Sequence, residues 1–352
     1  MHPIRRIQRV LAAPPLRDWQ VRARSCCTAL ALAGTMFASG CASGPGYPHH
    51  PDAAPGMSET PRIPGALSRL IRSRPATAGD ARRSTGLPFE YHYAAPQSPD
   101  LREIHMRVRE ADLLRHLPEL QAIDGVFTLP RALRYVAAEC GEPGAFYRPA
   151  DAAVVLCYET LRTLYERGQQ HQRFIGLGDD HPLRYTRANV RFIVLHETGH
   201  AFVHLLDLPV TGRQEDAVDQ LAAILMLHFA DLDETPEEVT ANLRLAANWM
   251  LSYSTGAYDL HAFADEHALG EQRFFNLQCL IYGTDPVRFA GMIEAGDLTA
   301  ARARGCVRET ERVGRAWVRL LLPHVAPEYA MTEADALEYL RQRSVRAAPT
   351  VE

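Results

Sequence analysis

Residues 189–209 read NVRFIVLHETGHAFVHLLDLP. The apolar residues recur through the stretch with helical spacing, so it predicts a buried helix that stops before Pro209. His196 and His200 are four apart, which places them on one face, one turn from each other. Two imidazoles so placed can converge on a single metal ion. Glu197 stands beside them, where it can take a proton from a metal-activated water. Burying two histidines and a glutamate on an apolar helix is costly unless a cation or polar partners receive them. His204 is eight residues from His196, about 12 Å along the axis. One helix cannot bring all three histidines to one ion, so His204 is expected to pack or to support.

This is the HExxH arrangement of zinc peptidases. Val203 and Leu206 stand where the metzincin pattern requires Gly and His, so that class is excluded. A third ligand is sought on the next helix, where residues 211–227 read TGRQEDAVDQLAAILML. Acids at a helix start ordinarily serve its dipole. Glu215 and Asp219, however, share the face that carries the apolar stripe. Glu215 is expected to complete a His2Glu site holding one zinc per chain, with Asp216 as the rival ligand. Asp219 is expected to accept a hydrogen bond from the far nitrogen of a ligand histidine.

The 352-residue chain is 47% hydrophobic and 23% charged, as a globular protein is. A formal net charge of −4 argues against nucleic acid as a partner. All 38 basic residues are arginine, so lysine Schiff-base chemistry is excluded. Residues 1–40 combine a basic leader with a short apolar run, Cys26 to Phe37, and predict a secretory signal peptide. The run ends Ala38-Ser39-Gly40-Cys41, which resembles a bacterial lipobox, with Cys41 as the lipidated residue. An ordinary signal peptide cut nearby is the alternative. Ala42 is not the Asp of an inner-membrane retention signal. The expected location is therefore the periplasmic face of an outer membrane, held by the lipid anchor. Residues 41–86, rich in Gly, Pro, Ala and Ser, read as a flexible tether.

Of the seven cysteines, Cys140, Cys157, Cys279 and Cys306 fall in the domain proper. In an exported chain an even number suggests disulfides. Cys140–Cys157 and Cys279–Cys306 are the favoured pairs, because each closes a short loop. The predicted elements begin with a strand over Phe89–Tyr93. Helices are predicted over Leu101–Leu117, stopped by Pro118, and over Arg131–Glu139, with a strand end at Gly125–Pro130 between them. A hairpin of Ala145–Tyr147 with Ala153–Cys157 follows, the latter read as an edge strand. Downstream, helices are predicted from Tyr158 to Gln170, Asn242 to Ser254, Arg273 to Tyr282, Arg302 to Leu322 and Met331 to Arg343.

The stretch from His196 to Leu227 resembles gluzincins, in which HExxH precedes a Glu-x-x-x-Asp helix. More closely, the chain resembles a family of bacterial metallopeptidases known mainly as a domain of unknown function. The residues that carry this are Cys140-Gly141, Ala145-Phe146-Tyr147, Cys157-Tyr158-Glu159, His196 to His200, Leu208-Pro209 and Glu215-Asp216-Ala217. Asp265-Glu266-His267, Gln272 to Asn276, Cys279, Tyr282-Gly283, Cys306 and Trp317 extend it. The chain departs at Gly144, where the family carries Asn. The resemblance covers roughly residues 87–325, and the expected domain, 87–345, is α+β and zincin-like, mostly helical with a small N-terminal sheet. Its lobes are expected at 87–207 and 208–345. The resemblance also implies a zinc peptidase, without naming a substrate; with the export signal, a peptide or protein of the envelope is the expected one. Glu197 is the expected general base, and His267 or Arg273 the donor to the oxyanion. The competing readings are an idle zinc-binding scaffold and an amidase acting on cell-wall peptides.

Overall fold

The computed structural model describes residues 87–230, 234–252 and 263–345. The expected signal peptide, Cys41, the tether and the end of the Asn242–Ser254 helix lie outside them. The described residues form an α+β fold, largely helical, with one small sheet near its N-terminal end. Among them no helix is long and apolar enough to cross a membrane.

The sheet contains β1 (Glu90–Tyr93), β2 (Arg134–Ala138), β3 (Ala145–Arg148) and β4 (Ala153–Cys157), in the order β1-β2-β4-β3. The first two pairings are parallel, and β3 runs antiparallel to β4 as the outer strand. Two expectations are corrected here. Arg131–Glu139 contains a strand, not a helix. Its Tyr135-Val136-Ala137-Ala138 run is buried between two parallel neighbours, where the usual alternation of polar and apolar residues disappears. Ala153–Cys157 is an interior strand, every residue of it buried, and the exposed edge belongs to β3.

The segment Leu101–Leu117 is not one helix. Helix α1 (Arg102–Glu110) ends before Asp112, which adopts a left-handed φ of 45°. Pro118 opens α2 (Pro118–Ile123) rather than closing its predecessor, since a first-turn proline forfeits no helical hydrogen bond. The expected strand at Gly125–Pro130 amounts to a single bridge, Phe127 to Val325.

Helix α3 (Tyr158–Ile175) ends at Gly176, whose φ of 69° suits glycine and whose N–H returns to Gln172. Helix α4 (His181–Leu205) carries the HETGH motif through the core, with residues 188–202 buried without a break. Helix α5 (Gln214–Phe229) packs across α4, and α6 (Pro236–Leu251) and α7 (Gly270–Thr284) complete the surround. The short α8 (Gly291–Glu294) leads to α9 (Ala300–Leu321) and α10 (Glu333–Val345). The two expected disulfides are present. Cys140–Cys157 closes the hairpin that contains β3, and Cys279–Cys306 ties α7 to α9.

Gly199 explains how close α5 comes to α4. A Cβ built there would lie 2.7 Å from Cβ and 2.8 Å from Cγ1 of Val218. Only a glycine lets the helices meet at this point, and the meeting brings the first turn of α5 over the histidines of α4.

Candidate metal centre

Three side chains converge where α4 and α5 touch. Nε2 of His196 and Nε2 of His200 are 3.3 Å apart. Glu215 places Oε2 3.1 Å from the first and Oε1 3.3 Å from the second. Nitrogen and oxygen ligands held about 2.0–2.1 Å from a tetrahedral ion lie about 3.3–3.4 Å from each other. Each separation is therefore that of two corners of such a site, the carboxylate turning one oxygen to each imidazole. All three residues are buried, and Asp216 is not in the cluster. Asp216 instead lines an open pocket of about 490 Å³ with Arg213, Glu271, Phe275 and Asn276.

The remaining nitrogens of the two imidazoles are also engaged. Nδ1 of His196 donates to Oδ1 of Asp219 at 2.8 Å. Asp219 is fixed in turn by Arg273, whose Nε and Nη2 donate to its two oxygens at 2.7 and 2.8 Å. The Gln214 amide nitrogen lies 2.7 Å from Nδ1 of His200. Turning that amide over presents its oxygen, so that Nδ1 donates and Nε2 keeps its lone pair for a cation.

The electrostatics favour a positive charge between these groups. Burial alone would raise the carboxyl of Glu215, but hydrogen bonds from His196, His200 and His267 hold it far below the carboxylate range. Burial opposes ionisation of Asp219 as well. The Arg273 charge, with the hydrogen bond from His196, outweighs it and brings the group to about 2. Burial would lower His196, yet its bonds to Asp219 and Glu215 push it up to about 10. Without a metal, this constellation draws a proton onto the imidazole. A divalent cation satisfies the same negative field and takes the proton's place.

Glu197 is buried at the same level of α4 but outside the donor cluster. Burial raises its carboxyl, and the neighbouring histidines partly offset the rise. The main-chain N–H of Tyr147, on β3, donates to it. His267 stands at the rim, half-exposed, with Nε2 3.0 Å from Oε2 of Glu215 and Nδ1 3.1 Å from Oδ1 of Asp265. Its ring stacks on that of His196, the centroids 6.2 Å apart. Arg273 spends Nε and Nη2 on Asp219. His204 faces away from the cluster, and its Nδ1 lies 2.9 Å from the Tyr147 hydroxyl.

The roles of Gln214, Tyr147 and Gly199 were not legible in the spacing. Gln214 precedes Glu215 directly and carries no periodic signal. Tyr147 contributes a main-chain group. A second group of potential donors, Cys140, Cys157 and Glu159, is not a thiolate site, since its sulfurs are bonded to each other.

A histidine pair and a buried carboxylate, with a further glutamate beside them, are a donor set that could hold a metal ion. A family model described as "Putative metallopeptidase" matches residues 93–321, well over half of the chain, and the chain belongs to that family. No curated protein and no solved structure matches it.

Proposed function

We propose that the protein is a zinc-dependent peptidase of the bacterial cell envelope. The observation that carries this is the tetrahedral spacing of His196, His200 and Glu215 with Glu197 beside them. Two imidazoles and one carboxylate, with a fourth position left for water, form the set that catalytic zinc uses. Zinc bound there supplies Lewis acidity and a water of lowered pKa.

The chain's own residues do the rest. Glu197 takes the proton of the attacking water and passes it to the leaving amine. A carboxyl raised by burial holds that proton long enough to deliver it. His267, whose bond to Glu215 raises its pKa and whose Nδ1 is backed by Asp265, is the donor to the developing oxyanion. The outer edge of β3 supports an extended peptide as substrate. Cys157 N–H bonds to Gly144 on the inner side, so the antiparallel alternation turns the main-chain groups of Ala145 and the Tyr147 carbonyl away from β4, where a substrate strand could pair. The lipobox-like sequence supports a lipid anchor at Cys41 on the periplasmic face of an outer membrane.

The test uses purified residues 42–352 with a peptide library and envelope proteins. Expected are about one zinc per chain, hydrolysis by the parent, and full zinc with no hydrolysis in Glu197→Gln. Absence of zinc after reconstitution would overturn the proposal. Full zinc without hydrolysis of any peptide would favour the scaffold, and cleavage of cell-wall peptides alone the amidase.

A further inference from the structure

Helix α9 presents a stripe of like charge that the metal centre does not use. Arg304, Arg308, Arg312 and Arg315 are all exposed. At helical spacing they fall within one narrow arc and span about 16 Å of the axis. The opposite face is buried through Ala303, Cys306, Val313 and Trp317, and Cys306 is bonded to Cys279 of α7. The arginines are therefore held outward by a pinned helix.

Their neighbours on the same helix show what ordinary pairing looks like. Arg302 is bound by Glu309, and Arg319 by Glu333 of α10. The four arginines between them have no acidic partner among the described residues, although Glu311 sits on the flank of the stripe. Like charges at i,i+4, such as Arg304–Arg308 and Arg308–Arg312, cost helix stability. A chain with a net charge of −4 has acids enough to avoid that cost. The absence of lysine means that the choice of arginine carries no weight by itself. The spacing and the lack of ion pairs to these four arginines among the described residues carry it.

We propose that the Arg304–Arg315 face of α9 docks the domain onto an anionic phospholipid bilayer. Guanidinium groups fork onto phosphate oxygens, and a row of them gains from a surface that repeats the phosphate. The stripe is straight and about 16 Å long, which suits a surface that presents phosphates in a row. Docking requires neither the lipid anchor proposed at Cys41 nor zinc.

The experiment is co-sedimentation of residues 42–352, which contain every described element, with vesicles. One set holds equimolar phosphatidylglycerol and phosphatidylcholine, the other phosphatidylcholine alone. The parent is expected to bind only the anionic vesicles at about 50 mM salt and to release at about 0.5 M. The variant with all four arginines changed to Gln is expected to lose on the order of 100-fold in partitioning. The variant with all four changed to Lys keeps most of it, and circular dichroism checks that both are folded. Free phosphate should displace no more protein than chloride of equal ionic strength. The proposal is overturned if the parent ignores anionic vesicles, which would leave an acidic protein as the partner to seek. It is overturned equally if the Gln variant binds as the parent does, or if free phosphate competes at matched ionic strength.

Discussion

Replacing Gly199 with Ala should loosen the metal centre without touching any ligand. The added Cβ would stand 2.7 Å from Cβ, 2.8 Å from Cγ1 and 3.2 Å from Cα of Val218. Two of those atoms belong to the stem of a neighbouring helix and cannot rotate away. Normal contact therefore requires α5 to retreat by several tenths of an ångström or more. Overpacking of this kind costs about 1–3 kcal/mol. Alanine regains about 0.5–1 kcal/mol of helix propensity over glycine. The metal-free protein should then lose up to roughly 2.5 kcal/mol in urea unfolding. Glu215 sits one turn from Val218, so the same retreat opens the 3.1 and 3.3 Å spacings to the imidazoles. Zinc affinity, read by chelator competition, should fall at least about tenfold, as it does when the groups around a metal site are disturbed. The double-mutant cycle makes the reasoning sharp. In a Val218→Gly background the clash with Cβ and Cγ1 is gone, and Gly199→Ala should turn neutral or stabilising. If it remains as destabilising there as in the parent, contact with Val218 is not what the glycine serves.

Other perturbations test the groups around the centre. Arg273→Met removes both donors to Asp219 and should lower zinc affinity about 10–100-fold, with the ligands intact, in the same chelator assay. Acidification should release zinc, because both imidazoles must be neutral to ligate. Without metal His196 is pushed up to about 10, so for each pH unit below that affinity should fall by up to about tenfold, one proton competing for the ion. Arg191→Met leaves the fully buried Glu119 facing Glu234 without its bidentate partner. It should cost about 3–5 kcal/mol in denaturant unfolding, whereas an exposed arginine such as Arg107 should cost almost nothing. Reduction should remove about 3 kcal/mol for the 17-residue separation of Cys140–Cys157 and slightly more for the 27 of Cys279–Cys306, seen as a lower urea midpoint.

Spacing along the chain disclosed the parts of this fold that are local. HExxH is a statement about one helix, and its geometry follows from 3.6 residues per turn. The helices α3, α5, α7 and α9 were legible for the same reason, with ends misplaced by a few residues where frayed turns continue. The sheet was harder. Its strand β2 carries alanines and lies between parallel neighbours, so nothing in its own pattern distinguishes it from a short buried helix. The break at Asp112 depends on a left-handed residue that no motif marks.

The centre itself divides along the same line. Glu215 lies fifteen residues beyond His200, across a loop and onto a second helix, yet its oxygens end within 3.3 Å of both imidazoles. What determines that meeting is the missing side chain at Gly199, a feature that has meaning only once Val218 is known to face it. Arg273 acts through Asp219 from a third helix, 54 residues further on, and Tyr147 through a main-chain N–H from a strand. A spacing rule can nominate ligands because the ion imposes their chemistry. It cannot nominate the residues that hold the ligands in place, because many side chains could do that work and only the packing selects among them. The substitutions of Gly199 and Arg273 therefore probe what the motif leaves unstated, which is whether the donors are held at tetrahedral spacing before any ion arrives.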